Sequence, residues 1–256
     1  MPEESQPRQD FSLRAERDGE RLLVACRGEL DLTTAPELEE VLGSADPNGE
    51  LEIDLAALEF IDSSGLRLLL SERERMGRSG GQLRVVGAHG AVARVFAISG
   101  LDAELRPQLP GGDGPAPAPA VALQPREGAA QRYGEVYPAE PASVSAIRHT
   151  LQDWARALGV RQEVISAVGL AVSEAATNAV VHAYADQPSG GTVAVEAGVE
   201  DEVLWVTVCD QGRGMRPRPD SPGLGLGLPL IAQMTEAFEV HEAEAGGTEV
   251  RMRFAL

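Results

Sequence analysis

The chain has 256 residues, with 22 basic side chains against 40 acidic ones and a formal net charge of −18, and every basic side chain is an arginine. The absence of lysine excludes a Walker A lysine, the strand lysine of a protein kinase, a Schiff base and a pyridoxal phosphate anchor. The acidity is spread along the whole length and repels phosphate backbones and anionic lipid, so neither nucleic acid nor a membrane is expected as a partner.

The opening residues MPEESQPRQD are polar, and no run of apolar residues nears the roughly 18 that a membrane span needs. A soluble cytoplasmic protein is expected. Length suggests two domains. Cys26 and Cys209 sit in apolar strand-like runs and read as small buried hydrophobes.

Residues 11–17 alternate apolar and polar, Asp18-Gly19 signals a hairpin turn, and residues 22–28 continue as a second strand. Thr34-Ala35-Pro36-Glu37 has the form of a capping box, opening a helix with Leu38, Val41 and Leu42 on its buried stripe. Residues 51–55 alternate as a third strand. In FIDSSGLRLLLSERERM, Leu66, Leu69, Leu70 and Met76 recur at helical spacing, so a helix starts near Ser63 or Ser64. A fourth strand at 83–87 and a helix at 92–98, closed by Gly100, complete an α/β unit of a sheet covered by helices.

Asp62, Ser63 and Ser64 lie where strand passes into helix. Their oxygens can cap the free amides of the helix start. They also suit a phosphoacceptor, because a phosphate there would meet unpaired N–H groups and add charge to a surface already carrying Asp62 and Asp31. GELDLTTAPEL, followed about twenty residues on by FIDSSGLRLLL, resembles the STAS domain of bacterial anti-sigma factor antagonists over residues 11–106. The resemblance implies that Ser63, directly after the aspartate, is the phosphorylated serine, with Asp62 at the partner-binding surface.

Residues 107–130 hold six prolines and four glycines and almost no large apolar side chains, which is the composition of a semi-extended tether. The expected organisation is therefore a first domain at 1–106, a linker at 107–130 and a second domain at 131–256.

In the second domain, residues 143–158 form an amphipathic helix with Val144, Ile147, Leu151, Trp154 and Leu158 on one stripe, ended by Gly159. The next helix, VISAVGLAVSEAATNAVVHAY, is apolar nearly all round yet carries Glu174, Asn178 and His182 at four-residue spacing. Burying a carboxylate and an amide is costly without partners, so these residues suggest the lining of a site. Two strands follow. The second ends in DQGRGM, where Asp210 stands beside Gly212 and Gly214, and glycine lets a flat ligand approach the backbone. GLGLGLPLIAQMTEAF is a glycine-rich loop opening a helix whose free amides can hold phosphates, and its lack of a preceding strand rejects a dinucleotide fingerprint. A closing hairpin turns Val250, Met252, Phe254 and Leu256 inward.

SEAATNAVVHA, DQGRG, GLGLGL and GGT follow one another in the order and spacing of the boxes of the GHKL ATP-binding fold, and the N-box text resembles the anti-sigma factor serine kinases over about 133–256. The fold class expected is α/β (α+β): a STAS-type domain, a Pro/Gly linker and a GHKL (Bergerat-type) α/β sandwich.

That resemblance implies ATP and Mg²⁺ as cofactors. It implies that Asp210 accepts from the adenine amino group, that Gly212 and Gly214 line the base pocket with Thr248 nearby, and that Gly223, Gly225 and Gly227 serve the phosphates. Asn178 would ligate Mg²⁺, Glu174 would be the catalytic base, and Arg148 would grip the antagonist. Arg213, Arg216 and Arg218 read either as a solvated loop or as phosphate-side charges. Only eight residues separate Gly214 from Gly223, a shorter lid than many relatives have.

The function implied is a partner-switching regulator of transcription. A serine kinase domain would phosphorylate Ser63 in cis, or the equivalent serine of a separate STAS antagonist, and so control capture of a sigma factor or similar target. The chain would form a homodimer through its GHKL sheet by analogy. The alternative is a non-catalytic nucleotide-binding scaffold. A sensor histidine kinase built on His149 is set aside, because 24 residues between it and Glu174 leave no room for a dimerising hairpin.

Overall fold

The computed structural model describes residues 11–101, 105, 131–183, 190–214, 225–243 and 246–256. The chain divides into two compact units, Met1–Gly114 and Pro115–Leu256, each taken separately below. The linker assigned to 107–130 lies outside the described residues.

In the first unit, β1 (Ser12–Asp18) and β2 (Arg21–Leu30) form an antiparallel hairpin. Asp18 pairs with Arg21, so the two turn residues are Gly19 and Glu20, one position later than the expected Asp18-Gly19. Gly19 takes the positive φ (+60°) that such a tight connection needs. Helix α1 (Ala35–Leu42) buries Leu38 and Leu42, while Val41 is half-buried.

The capping box does not form. Thr34 has helical dihedrals, its hydroxyl donates to the Glu29 carbonyl (2.8 Å), and the same oxygen accepts from the Asp31 amide (2.9 Å). Asp31 competes for this turn by accepting from the Thr33 amide (2.9 Å) and hydroxyl (2.6 Å), which is the local alternative short polar side chains offer the backbone.

Strand β3 (Glu50–Ile61) runs parallel to β2 and extends six residues beyond the alternating 51–55 stretch. Register shifts at Ala25/Arg27 and Gly28/Glu29 break the two-residue period there, so the strand's far end has no alternating signature. Helix α2 (Ser63–Ser79) follows, ended by Gly80 at φ +90°, and then β4 (Gln82–Val86) and α3 (Gly90–Ser99). The sheet order is β1-β2-β3-β4, with β4 parallel to β3. Leu30, Ile53, Leu55, Ile61, Leu66, Leu69 and Phe96 form its solvent-free core. Gly65 seats the start of α2 on this core: a Cβ there would lie 2.8 Å from Ile61 Cγ1 and from Leu30 Cγ.

The second unit opens with a strand absent from the sequence reading, β5 (Arg132–Pro138), at the edge of a five-stranded sheet. Helix α4 (Pro141–Ala157) buries Val144, Ile147 and Leu151, and Trp154 packs its ring 6.3 Å from that of Tyr133. Helix α5 (Gln162–Asn178) is buried along most of its length, and Gly169 lets the Gln152 side chain of α4 cross it closely. It continues as a π-helical turn, Ala179–Ala183. Together Gln162–Ala183 is long and apolar enough to cross a membrane, which corrects the count of apolar runs above. Scattered polar residues interrupt the run without lowering its mean hydropathy below 1.6, and 72% of its most apolar window is buried in the fold.

Strands β6 (Thr192–Glu200) and β7 (Val203–Asp210) join through Asp201 and Glu202, both at positive φ. Helix α6 (Gly227–Met234), β8 (Ala237–Glu242) and β9 (Thr248–Ala255) complete an antiparallel sheet of order β5-β6-β7-β9-β8. Val193, Val195, Val206, Val208, Val250 and Met252 are buried on one face. The alternation along β6, β7 and β9 that buries this face also sends Asp210, the last residue of β7, inward.

Candidate functional site

Two clusters form along α5. The first joins Glu174, which is 1% exposed, to Asn178 one turn later and to the start of α6. A Cβ built on Gly227 would stand 3.0 Å from Glu174 Oε2, 3.5 Å from Asn178 Nδ2 and 3.6 Å from its Oδ1. Glycine therefore lets the helix start rest directly on the carboxylate and amide. That helix has no side-chain cap, and Pro229 in its first turn carries no N–H. The uncapped start of α6, with the positive end of its helix dipole, therefore lies next to the Glu174–Asn178 pair.

The second cluster surrounds Asp210, which is 5% exposed. Its Oδ1 accepts from the Gly212 amide (2.9 Å) and the Thr248 amide (3.3 Å). Burial pushes the carboxyl pKa above its ordinary value, and the two amides partly offset this by favouring the charged form. Gly212 packs against Ala183 closely enough that a Cβ would lie 2.7 Å from its carbonyl carbon, and Gly214 takes φ +75° beside Gly247. Gly247 itself takes φ +95° over the Asp210 backbone. From Asn178 to Ala183 is about 7 Å of helix axis, so one helix carries both clusters.

The structure describes Gly212, Gly214, Gly225 (φ +67°), Gly227 and Thr248. Gly223, Arg216, Arg218 and the eight-residue lid lie outside the described residues. His182 departs from the four-residue stripe, because the i→i+5 winding of the π turn changes the register after Asn178. Its carbonyl accepts from Arg213 Nε (3.0 Å), and the Arg213 amide donates to Ala183 O (3.2 Å). Arg213 is thereby a cap on the α5 terminus, where a cation also complements the dipole. Arg213, expected as a solvated loop residue or a phosphate-side charge, is bonded to this helix terminus, and Ala183 carried no signal in the sequence.

Arg148 is 0% exposed and donates from Nη1 to Ser173 Oγ (3.0 Å), tying α4 to α5 beside Glu174. Any partner contact by Arg148 would be additional to this internal bond.

In the first unit Asp62 is the N-cap of α2, its Oδ1 accepting from the Ser64 amide (2.8 Å) and the Gly65 amide (3.2 Å). The expected free amides at this helix start are thus already engaged, which corrects the picture of a ready phosphate cradle. Asp31, Asp62 and Ser63 are 2%, 1% and 5% exposed, so they do not form the open acidic surface the sequence suggested.

Cys26 is buried, its thiol pushed up to about 12 by desolvation and the nearby Asp54 charge, as suits an inert core side chain; Cys209 is half-buried. Among the described residues no group of three or more His, Cys, Asp or Glu side chains could hold a metal alone. Asn178 with Glu174 offers a hard oxygen pair of the kind that holds Mg²⁺ when substrate phosphates supply further ligands.

A STAS domain model matches residues 13–108, and a histidine kinase-like ATPase domain model matches residues 137–254. The second half is similar to an anti-sigma F factor of Clostridium acetobutylicum, 34% identical over 125 residues, covering 44% of this chain and 86% of that protein. It is also similar to the serine-protein kinase RsbW of Bacillus licheniformis, 44% identical over 128 residues, covering 45% and 80% of the two chains. The first half is similar to the anti-sigma-F factor antagonist RsfB of Mycobacterium tuberculosis, 38% identical over 86 residues, covering 33% and 70%.

Proposed function

The chain belongs to two families at once, the STAS anti-sigma factor antagonists in its first half and the histidine kinase-like anti-sigma factors in its second, and on that premise we propose that it is a partner-switching serine kinase. Its ATPase half transfers the γ-phosphoryl group of ATP to Ser63, or to the matching serine of a separate STAS protein. The phosphorylated STAS surface then releases the kinase half to hold a sigma factor or similar target. This work belongs in the cytoplasm, with the transcription machinery.

The observation that supports this reading best is the seat of Gly227 on Glu174 and Asn178, which brings an uncapped helix start against a carboxylate and an amide. The Asp210 carboxylate, fixed by the Gly212 and Thr248 amides, accepts from the adenine amino group. Gly212 and Gly214 admit the flat base, and Thr248 closes its far side. The amides of Gly225 and Gly227, with those of Gly223, take the phosphates. A magnesium ion held through Asn178 would neutralise phosphate charge, which matters in a chain without lysine.

Glu174 orients the serine hydroxyl and accepts its proton as the Ser63 Oγ–P bond forms and the bond from Pγ to the ADP oxygen breaks. The deciding test is intact mass after incubation with Mg-ATP. A gain of one phosphate on the wild type that is missing from Ser63→Ala supports transfer to Ser63; no gain on the chain or on an added STAS protein leaves only a non-catalytic scaffold.

Asp210 gives a second, pH-dependent expectation. Its folded pKa lies above the unfolded value of about 3.9. The stability its protonated form contributes is present below that unfolded value and is lost as pH rises through the folded one. At pH 7 the buried carboxylate therefore costs stability. Asp210→Asn keeps an oxygen for the Gly212 and Thr248 amides and drops the charge. Its melting temperature should exceed the wild-type value at pH 7, with the gap closing in acid, while ATP affinity falls roughly 10- to 100-fold because an NH₂ faces the adenine amino group. Thermal scans across pH and calorimetric titration with ATP read the two effects separately.

A further inference from the structure

Phosphorylation of Ser63 poses a charge problem that the free serine does not. A phosphoserine carries about −1.5 to −2 charges at pH 7. Here it would sit at the first position of α2 beside the Asp62 carboxylate, which is 1% exposed and already occupies the Ser64 and Gly65 amides. The helix dipole favours an anion at this end, but two of the donors that would bind it are taken.

The pairing of arginines along α2 points to what answers the new charge. Arg75 Nε donates to both oxygens of Glu72 three residues before it (3.0 and 2.9 Å). Arg78 donates from Nη2 to Glu74 four residues before it (3.0 Å). Arg67 breaks this pattern. The positions three and four residues away from it are Ser63, Ser64, Leu70 and Ser71, with no carboxylate among them. Its Nε is buried with no hydrogen-bond partner, and Ser64 Oγ, in a residue only 7% exposed, is likewise unsatisfied. A buried guanidinium nitrogen without an acceptor is costly, and it stands one turn from the serine, on the same face.

We infer that Arg67 is the phosphate-holding residue of Ser63, its guanidinium pairing with phosphoserine 63 across one helical turn while Ser64 Oγ donates to the same phosphate. The order, anion four residues before cation, is the favourable one in a helix. A planar guanidinium matches two phosphate oxygens at once, which a lysine ammonium does not. The pair holds the modified STAS fold intact, so the mark acts by changing surface charge rather than by unwinding α2. It also makes Arg67 a determinant of how readily a phosphatase reaches the group.

This inference rests on Ser63 being the modified serine, and the test separates the two. Phosphoserine is installed at position 63 of the full chain by translational incorporation, without use of the chain's own kinase half. Phosphorus-31 NMR then follows its second ionisation, which lies near pH 6 for a free phosphoserine. In the wild type the midpoint should fall about one unit below that of Arg67→Met, with Arg67→Lys recovering part of the shift. Equal midpoints in wild type and Arg67→Met overturn the inference. If Arg67→Met does not fold, the wild-type midpoint is compared with that of a phosphoserine peptide spanning residues 60–70, and equality again overturns it. Failure of Mg-ATP to modify Ser63 would count against the kinase reading alone.

Discussion

Glu174→Gln is expected to slow phosphoryl transfer to Ser63 by about 10²- to 10⁴-fold, the usual contribution of a positioned general base. ATP affinity should change little. The two effects separate because the proposed mechanism puts Glu174 on the acceptor hydroxyl and assigns the nucleotide to the Asp210 cluster and the α6 amides. Glutamine fills the same space beside Gly227, where Oε2 stands 3.0 Å from the glycine's Cβ direction, and it keeps a carbonyl oxygen to face the helix start. The substitution conserves volume at a residue 1% exposed, so the packing around it is kept. Single-turnover appearance of phosphoserine measures the first effect and equilibrium titration with ATP the second. Transfer at the wild-type rate would remove Glu174 from the chemistry; loss of both transfer and binding would make it a structural ligand of the nucleotide pocket.

The elements that were legible in the sequence are those whose cause is local. Leu66, Leu69, Leu70 and Met76 carry the helical period of α2 on their own, and all four are buried. The glycine boxes were legible for a similar reason, since a residue without Cβ is required wherever the backbone is crowded or left-handed. What stayed hidden depends on neighbours distant in the chain. The far half of β3 loses its alternation where its ladder with β2 shifts register. Strand β5 sits at a sheet edge, and on one face it carries half-buried Tyr133 and Tyr137 with exposed Glu135 between them, whose mutual hydroxyl and carboxylate hydrogen bonds replace an apolar pattern.

The Thr34 box failed because Asp31 offered the same turn a different set of bonds. The π turn after Asn178 has the composition of ordinary helix, and Gly212 and Arg213 pack on Ala183 and His182 where the winding changes. The site thus couples two kinds of information. The polar residues that line the two clusters were readable from spacing, while the groups packed against them were not, because Ala183, Ser173 and Gly247 act through contacts and not through reactive atoms. Under the proposed function, phosphate binding without lysine follows the same division, with the anion assigned to backbone amides, whose donors no composition count records.

Gly247→Ala should have the largest effect of any small substitution in the second unit. Its φ of +95° is strained for any side chain, at about 1–2 kcal/mol. A Cβ there would also overlap the Asp210 carbonyl oxygen and lie 2.7 Å from its carbon and 2.8 Å from its Oδ1, an overpacking cost of about 1–3 kcal/mol. The clash falls on the residue that would read adenine, and relieving it moves Asp210 away from the Thr248 amide. Thermal unfolding of the second unit should therefore begin on the order of 10 °C lower, with ATP binding lost at temperatures where the unit is still folded. Gly214→Ala is the matched comparison. It shares the left-handed backbone (φ +75°), but its nearest neighbour, the Gly247 carbonyl oxygen, is 3.6 Å from the added carbon, so only the strain should be felt. The two variants together separate backbone strain from collision with the carboxylate. Equal losses of stability and affinity would show that strain alone matters and that contact with Asp210 does not position the nucleotide site.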